Sequence, residues 1–558
     1  MKKLCLLLLI FLFPASQVLA EFQRADNGMV SSRSDIASEV GKDILQQGGN
    51  AVDAAVAVGF ALAVTYPSAG NIAGGGFMVM RNADGEVFTL DFREKAPLAA
   101  YRDMFLDANG EVDRRLSLNS LKASGVPGTV AGLLEALDRF GTLSRETVMA
   151  PAIALAEEGF VLNEDLASQF ENTLPRFAPY PSSMQIFSKD GQPYEAGDLW
   201  QQPELAATLK LISAQGRDGF YQGTTADLLV DSMQTNDGLI THEDLLAYEP
   251  VWREPVHGTY RGYDIWSMPS PSSGGTLIIE MLNMLEPYDL GSLGWGSPET
   301  LHLMIEAQRR AYADRAEHLG DPDFYEVPSA MLLSKEYAQR RFADFDPEQA
   351  SLSEDVDAKR WPAESMETTH YSIIDDAGNA VSITTTLNSS YGNKFVVPGT
   401  GFLLNNEMDD FSSSPGVANN FGLIGRLANE IQPAKRMLSS MCPTIITRGG
   451  ELFLVTGSPG GSTIINTVLQ VILNAIDHGM TIEDAVSSPR IHHQWLPNIV
   501  RYESGAISEQ ALSELREMGH VGITTSPFSI GDANSIMVVG EAYEGMSDPR
   551  NDGGVAGF

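Results

Sequence analysis

Cysteine is nearly absent: of 558 residues only Cys5 and Cys442 carry a thiol, which excludes a disulfide-stapled scaffold and a cysteine-rich zinc module. Basic residues are scarce too, with 37 Lys plus Arg against 73 Asp plus Glu and a formal net charge of -36. A surface this acidic repels phosphate backbones and anionic headgroups, so no nucleic acid is expected as a partner; the surplus acid reads as a solubility or salt adaptation. Long apolar runs are lacking as well. Leu4–Phe13 is too short to span a bilayer. Placed after Met1-Lys2-Lys3 and before Val18-Leu19-Ala20, it reads as the core of a cleaved signal over residues 1–20, exporting a soluble chain without a membrane anchor. Removing it takes away Cys5 and leaves Cys442 alone, so stability has to come from packing. Two hydrolase signatures are missing: there is no G-x-S-x-G elbow and no H-E-x-x-H zinc helix. The adjacent pair His492-His493 would point to opposite sides of a strand, which makes a shared metal a poor reading.

What is present can bury a large core, and the length suits either several domains or one large unit of helices and sheets. Gly49 to Val64 is apolar on nearly every side, carries one Asp, and predicts a buried helix. Phe77–Met80 and Val87–Phe92 flank Asn82-Ala83-Asp84-Gly85, a hairpin signal. The glycines of Gly70 to Phe77 lack dinucleotide spacing and precede a strand, so they read as places where layers approach closely. Leu116 to Tyr337 is largely helical, with loops such as Pro269–Gly275, and shows no evident chemistry. Ser351–Glu367 is charged and without apolar period, the best candidate boundary. From Thr368 the texture turns to β-branched strands, Thr368–Ile374 and Ala380–Leu387, around the turn Asp375–Asn379.

That threonine hairpin is the candidate for chemistry. With an odd loop Thr368 and Thr386 face each other, about 5 Å apart on one face; a two- or four-residue loop would separate them, and threonine is also simply a good strand residue. A threonine hydroxyl is a weak nucleophile that needs a base. A cut before Thr368 would supply one, the freed α-amine, with Thr386 orienting the hydroxyl. Downstream, Val455–Ser462 runs from strand into a Gly-rich turn and then an apolar helix, a layout that can present backbone N–H groups as an oxyanion hole or serve as an ordinary connection.

These residues resemble the γ-glutamyltranspeptidases, also called γ-glutamyltransferases, of the N-terminal nucleophile hydrolase superfamily. The resemblance runs from Gly49-Asn50-Ala51-Val52-Asp53 through Asp91-Phe92-Arg93-Glu94 to Ser547-Asp548-Pro549-Arg550. It is most specific over Thr368-Thr369-His370-Tyr371-Ser372, Gly378-Asn379-Ala380-Val381, Thr384-Thr385-Thr386-Leu387-Asn388 and Tyr391-Gly392. It implies an α+β fold, the four-layer αββα sandwich, built jointly by a large subunit 21–367 and a small subunit 368–558 after self-cleavage between Glu367 and Thr368. Thr368 then resembles the nucleophile, Thr386 its hydroxyl partner, and Gly460 and Gly461 the oxyanion donors. Asn388, Glu407 and Asp410 resemble the residues that hold the substrate's α-amino end, and Arg93, Ser439 and Ser440 those that bind its α-carboxylate. Ser412–Asn429 is similar to a lid, with Phe421 where several members carry tyrosine.

The implied partners are glutathione and other γ-glutamyl compounds with amino-acid or peptide acceptors, the implied location the periplasm with secretion as the alternative, and no metal or cofactor is called for. The chemistry is consistent: a γ-glutamyl group presents an ammonium and a carboxylate on one carbon, which acids and an arginine fork can hold together. Taken singly, Arg93 beside Glu94 reads as a surface ion pair and Asp410 as a solvated loop acid. Two alternatives stay open: an acylase of the same fold acting on non-glutamyl groups, for which an acid at 410 would serve no purpose, and an uncut relative that only binds γ-glutamyl peptides.

Overall fold

The computed structural model describes residues 22–353, 368–414 and 416–558; the signal segment, the charged stretch 354–367 with Glu367, and Pro415 lie outside the described residues. At its centre is the threonine hairpin. Thr368–Ile374 pairs antiparallel with Ala380–Thr386, so Asp375–Asn379 is a loop of odd length and Thr368 stands directly opposite Thr386. Asp375 sets this turn by accepting from the N–H groups of Ala377 (3.0 Å) and Asn379 (2.9 Å). Met29–Ser32 and Gly75–Arg81 flank the hairpin, and Gly554–Gly557, Val87–Asp91 and Val251–Arg253 complete a sheet of seven strands. The expected hairpin about Asn82–Gly85 is the pair Gly75–Arg81 with Val87–Asp91.

A second antiparallel sheet of seven runs Phe22–Ala25, Ala542–Met546, Ser535–Val539, Glu451–Thr456, Thr444–Arg448, Tyr263–Ser267, Val256–Tyr260. Side chains alternate across the hairpin in the way a pleated strand requires. Tyr371, Ile373, Val381 and Ile383 pack with the helix Ala51–Thr65, whereas Ile374 and Ala380 pack toward the second sheet. Small hydroxyl residues fill the gap between sheets: Ser382 donates to Thr456 O (3.0 Å) and Ser372 to Asn534 O (2.9 Å). Helices Gly274–Leu285 and Ile464–Ile476 cover the far face, giving the expected αββα order. Strands from before 354 and after 367 share both sheets, so one unit results and the textural change at Thr368 marks no separate domain.

The helix Ala51–Thr65 is buried along its whole length, as its composition predicts. Its single acid is a connector: Asp53 completes a capping box with Asn50 and accepts from Thr142 N (2.9 Å), Thr142 Oγ1 (2.6 Å) and Leu143 N (3.1 Å). Among the described residues no helix is long and apolar enough to cross a membrane. Replacing Asp53 with Ala removes a cap and strands these donors, and should destabilise the protein by about 2 kcal/mol; an unchanged urea midpoint would show that the connection contributes nothing.

Candidate active site

Because Thr368 and Thr386 end their strands on the face that looks toward the second sheet, they meet what that sheet delivers. The strand Glu451–Thr456 leads through a glycine turn into the helix Ile464–Ile476. Gly460 and Gly461 have φ of +130° and +55°, conformations open to glycine and costly for other residues. Among the described residues no protein acceptor takes the amide N–H of either glycine. Thr368 Oγ1 lies 3.5 Å from Thr386 Oγ1, a long approach for a hydrogen bond, and both hydroxyls are buried. Thr386 Oγ1 accepts from Asn388 N at 2.9 Å, which helps hold Asn388 at φ +74°. The side-chain amide of Asn388 donates to Asn406 O (3.0 Å) and its buried Oδ1 has no partner among the described residues. A left-handed non-glycine residue held this firmly is typical of functional sites.

The charged half of the site centres on Arg93, which is fully buried. Its guanidinium bonds to Glu407 and to Asp410 (2.5 Å), with Glu94 at 3.7 Å. Burial works against the Arg93 charge, but Glu407, Asp410 and Glu94 outweigh it and hold its pKa above the usual value. Three carboxyls around one guanidinium cannot all ionise at ease. Burial, opposed by Arg93, pushes Glu94 up to about 7, and raises Glu407 and Asp410 as well. Arg93 and Glu94 are both buried, in line with the family resemblance and not with the surface pair they suggest when taken singly, because the loop after Val87–Asp91 turns inward beneath Tyr248, whose hydroxyl donates to Arg93 O (2.9 Å). Asp410 likewise follows the resemblance, its side chain being 11% exposed.

One small cavity is lined by Arg93, Thr368, Thr386, Asn388, Glu407, Asp410, Phe421, Ser439, Ser440 and Gly461. Gly460 adjoins it in the same turn. The structure thus gathers into one place every residue singled out from the sequence. Phe421 packs its ring so closely on Gly461 that a Cβ there would come within 2.4 Å of it. Lacking a hydroxyl, Phe421 is held through the backbone. Asn419 accepts from Phe421 N (3.0 Å) while donating to Asp410 Oδ1 (2.9 Å), Gln494 donates to Gly422 O (3.1 Å), and Arg114 bridges Asp409 and Ala418 O.

Several supports were not legible in the sequence. Pro269–Gly275, which showed no evident chemistry, holds the Ser439-Ser440 segment: Ser273 donates to Ser439 O from N (2.8 Å) and Oγ (2.7 Å), and Ser272 to Met441 O. Arg315 reaches Ser440 from the helix Pro298–His318. Only the helix's buried arginines hinted at this. His370, two residues from Thr368, is pushed down to about 3 by burial and bonds to Thr384 and Ser372, a neutral structural ring.

Among the described residues one group could approach a metal, His302 with Glu306 and His520. Glu306 is already bonded to Arg309 and Arg310, and the two imidazoles bond to each other at 2.7 Å, so the set fits a hydrogen-bonded pair better than a cation site. His492 and His493 are also held as structural groups, by Asn466 and Asn498.

The gamma-glutamyltranspeptidase family profile matches residues 37–558. The chain belongs to this family. The glutathione hydrolase proenzyme of Escherichia coli (strain K12) is 49% identical over 532 residues, covering 95% of this chain and 91% of that one. A cephalosporin acylase structure from Bacillus halodurans superposes with a TM-score of 0.85 at 27% identity, covering 99% of each chain. A gamma-glutamyltranspeptidase structure from Helicobacter pylori gives a TM-score of 0.56 at 48% identity, over 57% of this chain and 91% of that one. As a gamma-glutamyltranspeptidase the protein is an N-terminal nucleophile hydrolase and acyltransferase made as a self-processing precursor.

The buried carboxyls carry a pH signature. Glu94 keeps a proton in the folded state up to about 7 that the unfolded chain releases near 4.5, so stability falls as pH rises through that window. Glu407 and Asp410 add to the same decline, so Glu94→Gln should remove part of it, read as melting temperature against pH; parallel profiles for the two proteins would refute the assignment.

Proposed function

We propose that this enzyme cleaves the γ-glutamyl amide of glutathione and related compounds through a γ-glutamyl ester on Thr368, then passes the acyl group to water or to an amino acid or peptide. Cleavage between Glu367 and Thr368 yields subunits 21–367 and 368–558 and frees the α-amine. The amine accepts the Thr368 hydroxyl proton as Oγ1 attacks the γ-carbonyl carbon. The oxyanion that forms is met by the N–H groups of Gly460 and Gly461. Its collapse breaks the amide bond, the α-ammonium protonates the leaving amine, and the ester forms. Water or an acceptor amine repeats the attack on the ester and restores Thr368.

The observation that carries the substrate reading is the Arg93–Asp410 pair with Ser439 and Ser440 in the same cavity as Thr368. A γ-glutamyl group exchanges that ion pair for two: its carboxylate goes to Arg93, Ser439 and Ser440, its ammonium to Asp410 and Glu407, with Asn388 beside it. No charge is left stranded, which is the condition for binding ions in a buried site. An acyl donor without the amine would leave Asp410 unused, which favours the γ-glutamyl reading over the acylase one. The chemistry needs no metal or cofactor, and the signal-like residues 1–20 favour the periplasm as the compartment.

Thr368→Ala should remain a single uncut chain when its intact mass is measured under denaturing conditions; splitting at the same bond would remove Thr368 from the processing role. Asp410→Asn should raise KM for a γ-glutamyl anilide roughly 10- to 100-fold, the worth of a lost charge-assisted hydrogen bond, and an unchanged KM would overturn the ammonium assignment.

A further inference from the structure

Most buried arginines in this fold meet carboxylates, Arg81 being held instead by the carbonyls of Asn82, Gly378 and Gly450. Arg33 pairs with Asp532, Arg93 with Glu407 and Asp410, Arg310 with Glu306, Arg436 with Asp91 and Arg490 with Asp548. Arg315, also buried, makes no ion pair among the described residues. Its Nε donates to Ser273 Oγ at 2.9 Å and its Nη2 to Ser440 Oγ at 3.3 Å. Burial, opposed by Asp410 and Tyr312, lowers its pKa to about 10, a measure of how poorly the charge is compensated. One turn earlier on the same face, Tyr312 donates to Ser462 O beside the glycine turn, so a single helix supports both ends of the cavity.

A buried unpaired guanidinium is expensive to keep, and its missing counter-charge points to a ligand. Ser440 stands between Arg315 and the cavity. Since its oxygen accepts from the guanidinium, its hydroxyl proton is left to donate into the cavity, and a hydroxyl accepting from a cation is the stronger donor for it. Ser439 Oγ is in the same state, accepting from Met441 N at 3.1 Å. Arg93 cannot supply the whole attraction, because Glu407 and Asp410 already share its charge.

We propose that Arg315 is a positioning residue for the α-carboxylate subsite, orienting the Ser440 hydroxyl and supplying a second positive charge that selects donors bearing an α-carboxylate. This deepens the γ-glutamyl reading and rests on it. The test compares kcat/KM for a γ-glutamyl anilide with that for the 4-aminobutyryl anilide, the same donor without its carboxylate. In wild type the ratio should be well above one; a ratio near one would sink the γ-glutamyl reading itself, whatever Arg315 does. In Arg315→Met the ratio should fall about 10- to 100-fold, mainly through KM for the γ-glutamyl donor. Arg315→Lys, which keeps the charge and loses the fork, should lower it by roughly two- to tenfold. Equal losses on both donors would mean a merely structural role and overturn the proposal, as would an unchanged ratio. Should the Met variant fail to fold or self-process, judged by intact mass and melting temperature, the Lys variant decides by the same ratio.

Discussion

Everything in this protein depends on one register: Thr368 opposite Thr386 across a turn pinned by Asp375. A slip of one residue would move every side chain of the hairpin to the other face. Thr368 would then point at the helix Ala51–Thr65 and Tyr371 at the second sheet. The turn is therefore anchored twice, by its own N–H groups and by Ala51 N, which donates to Asp375 at 2.9 Å. The glycines at 74–76 serve the same end, since a Cβ on Gly74 would lie 2.0 Å from Thr386 O and one on Gly76 2.4 Å from Thr384 O. Close approach of backbone layers, and not phosphate binding, is their physical reason.

The second constraint is charge buried without water. In the cavity Arg93 is shared by carboxyls that crowd each other, and Arg315 makes no ion pair among the described residues. Such an arrangement is a poor source of stability. It becomes reasonable for a ligand that carries both signs on one carbon, because binding lets each group trade an unfavourable neighbour for a favourable one. The long helix Pro298–His318 backs the site, through Tyr312 on Ser462 O and Arg315 on Ser440.

A phenyl ring has no hydroxyl to donate, and the seat of Phe421 over Gly461 is held by Asn419, Gln494 and Arg114, which grip the backbone on either side. Asn419 also bonds to Asp410, tying the cover to the residue proposed to hold the ammonium.

Local pattern sufficed for much of this. The hairpin about Asp375–Asn379, the buried helix ahead of Pro67 and the glycine turn before Ile464 are as expected, since each depends on neighbours in the chain, while the αββα order follows the family resemblance. The candidate residues were legible because Thr368, Thr386 and the Gly460-Gly461 pair sit in short runs with distinctive spacing. What only the tertiary structure decided is how distant segments share a cavity: that Glu94 is buried beside Arg93, that Asp53 joins two helices through Thr142, and that Pro269–Gly275 and Arg315 stand behind Ser439 and Ser440. The reason is electrostatic as much as geometric. Whether a charged residue is a solvated face or part of a site depends on the burial and the partners around it, and in a chain with 73 acids and 37 bases those are set only when strands hundreds of residues apart come together.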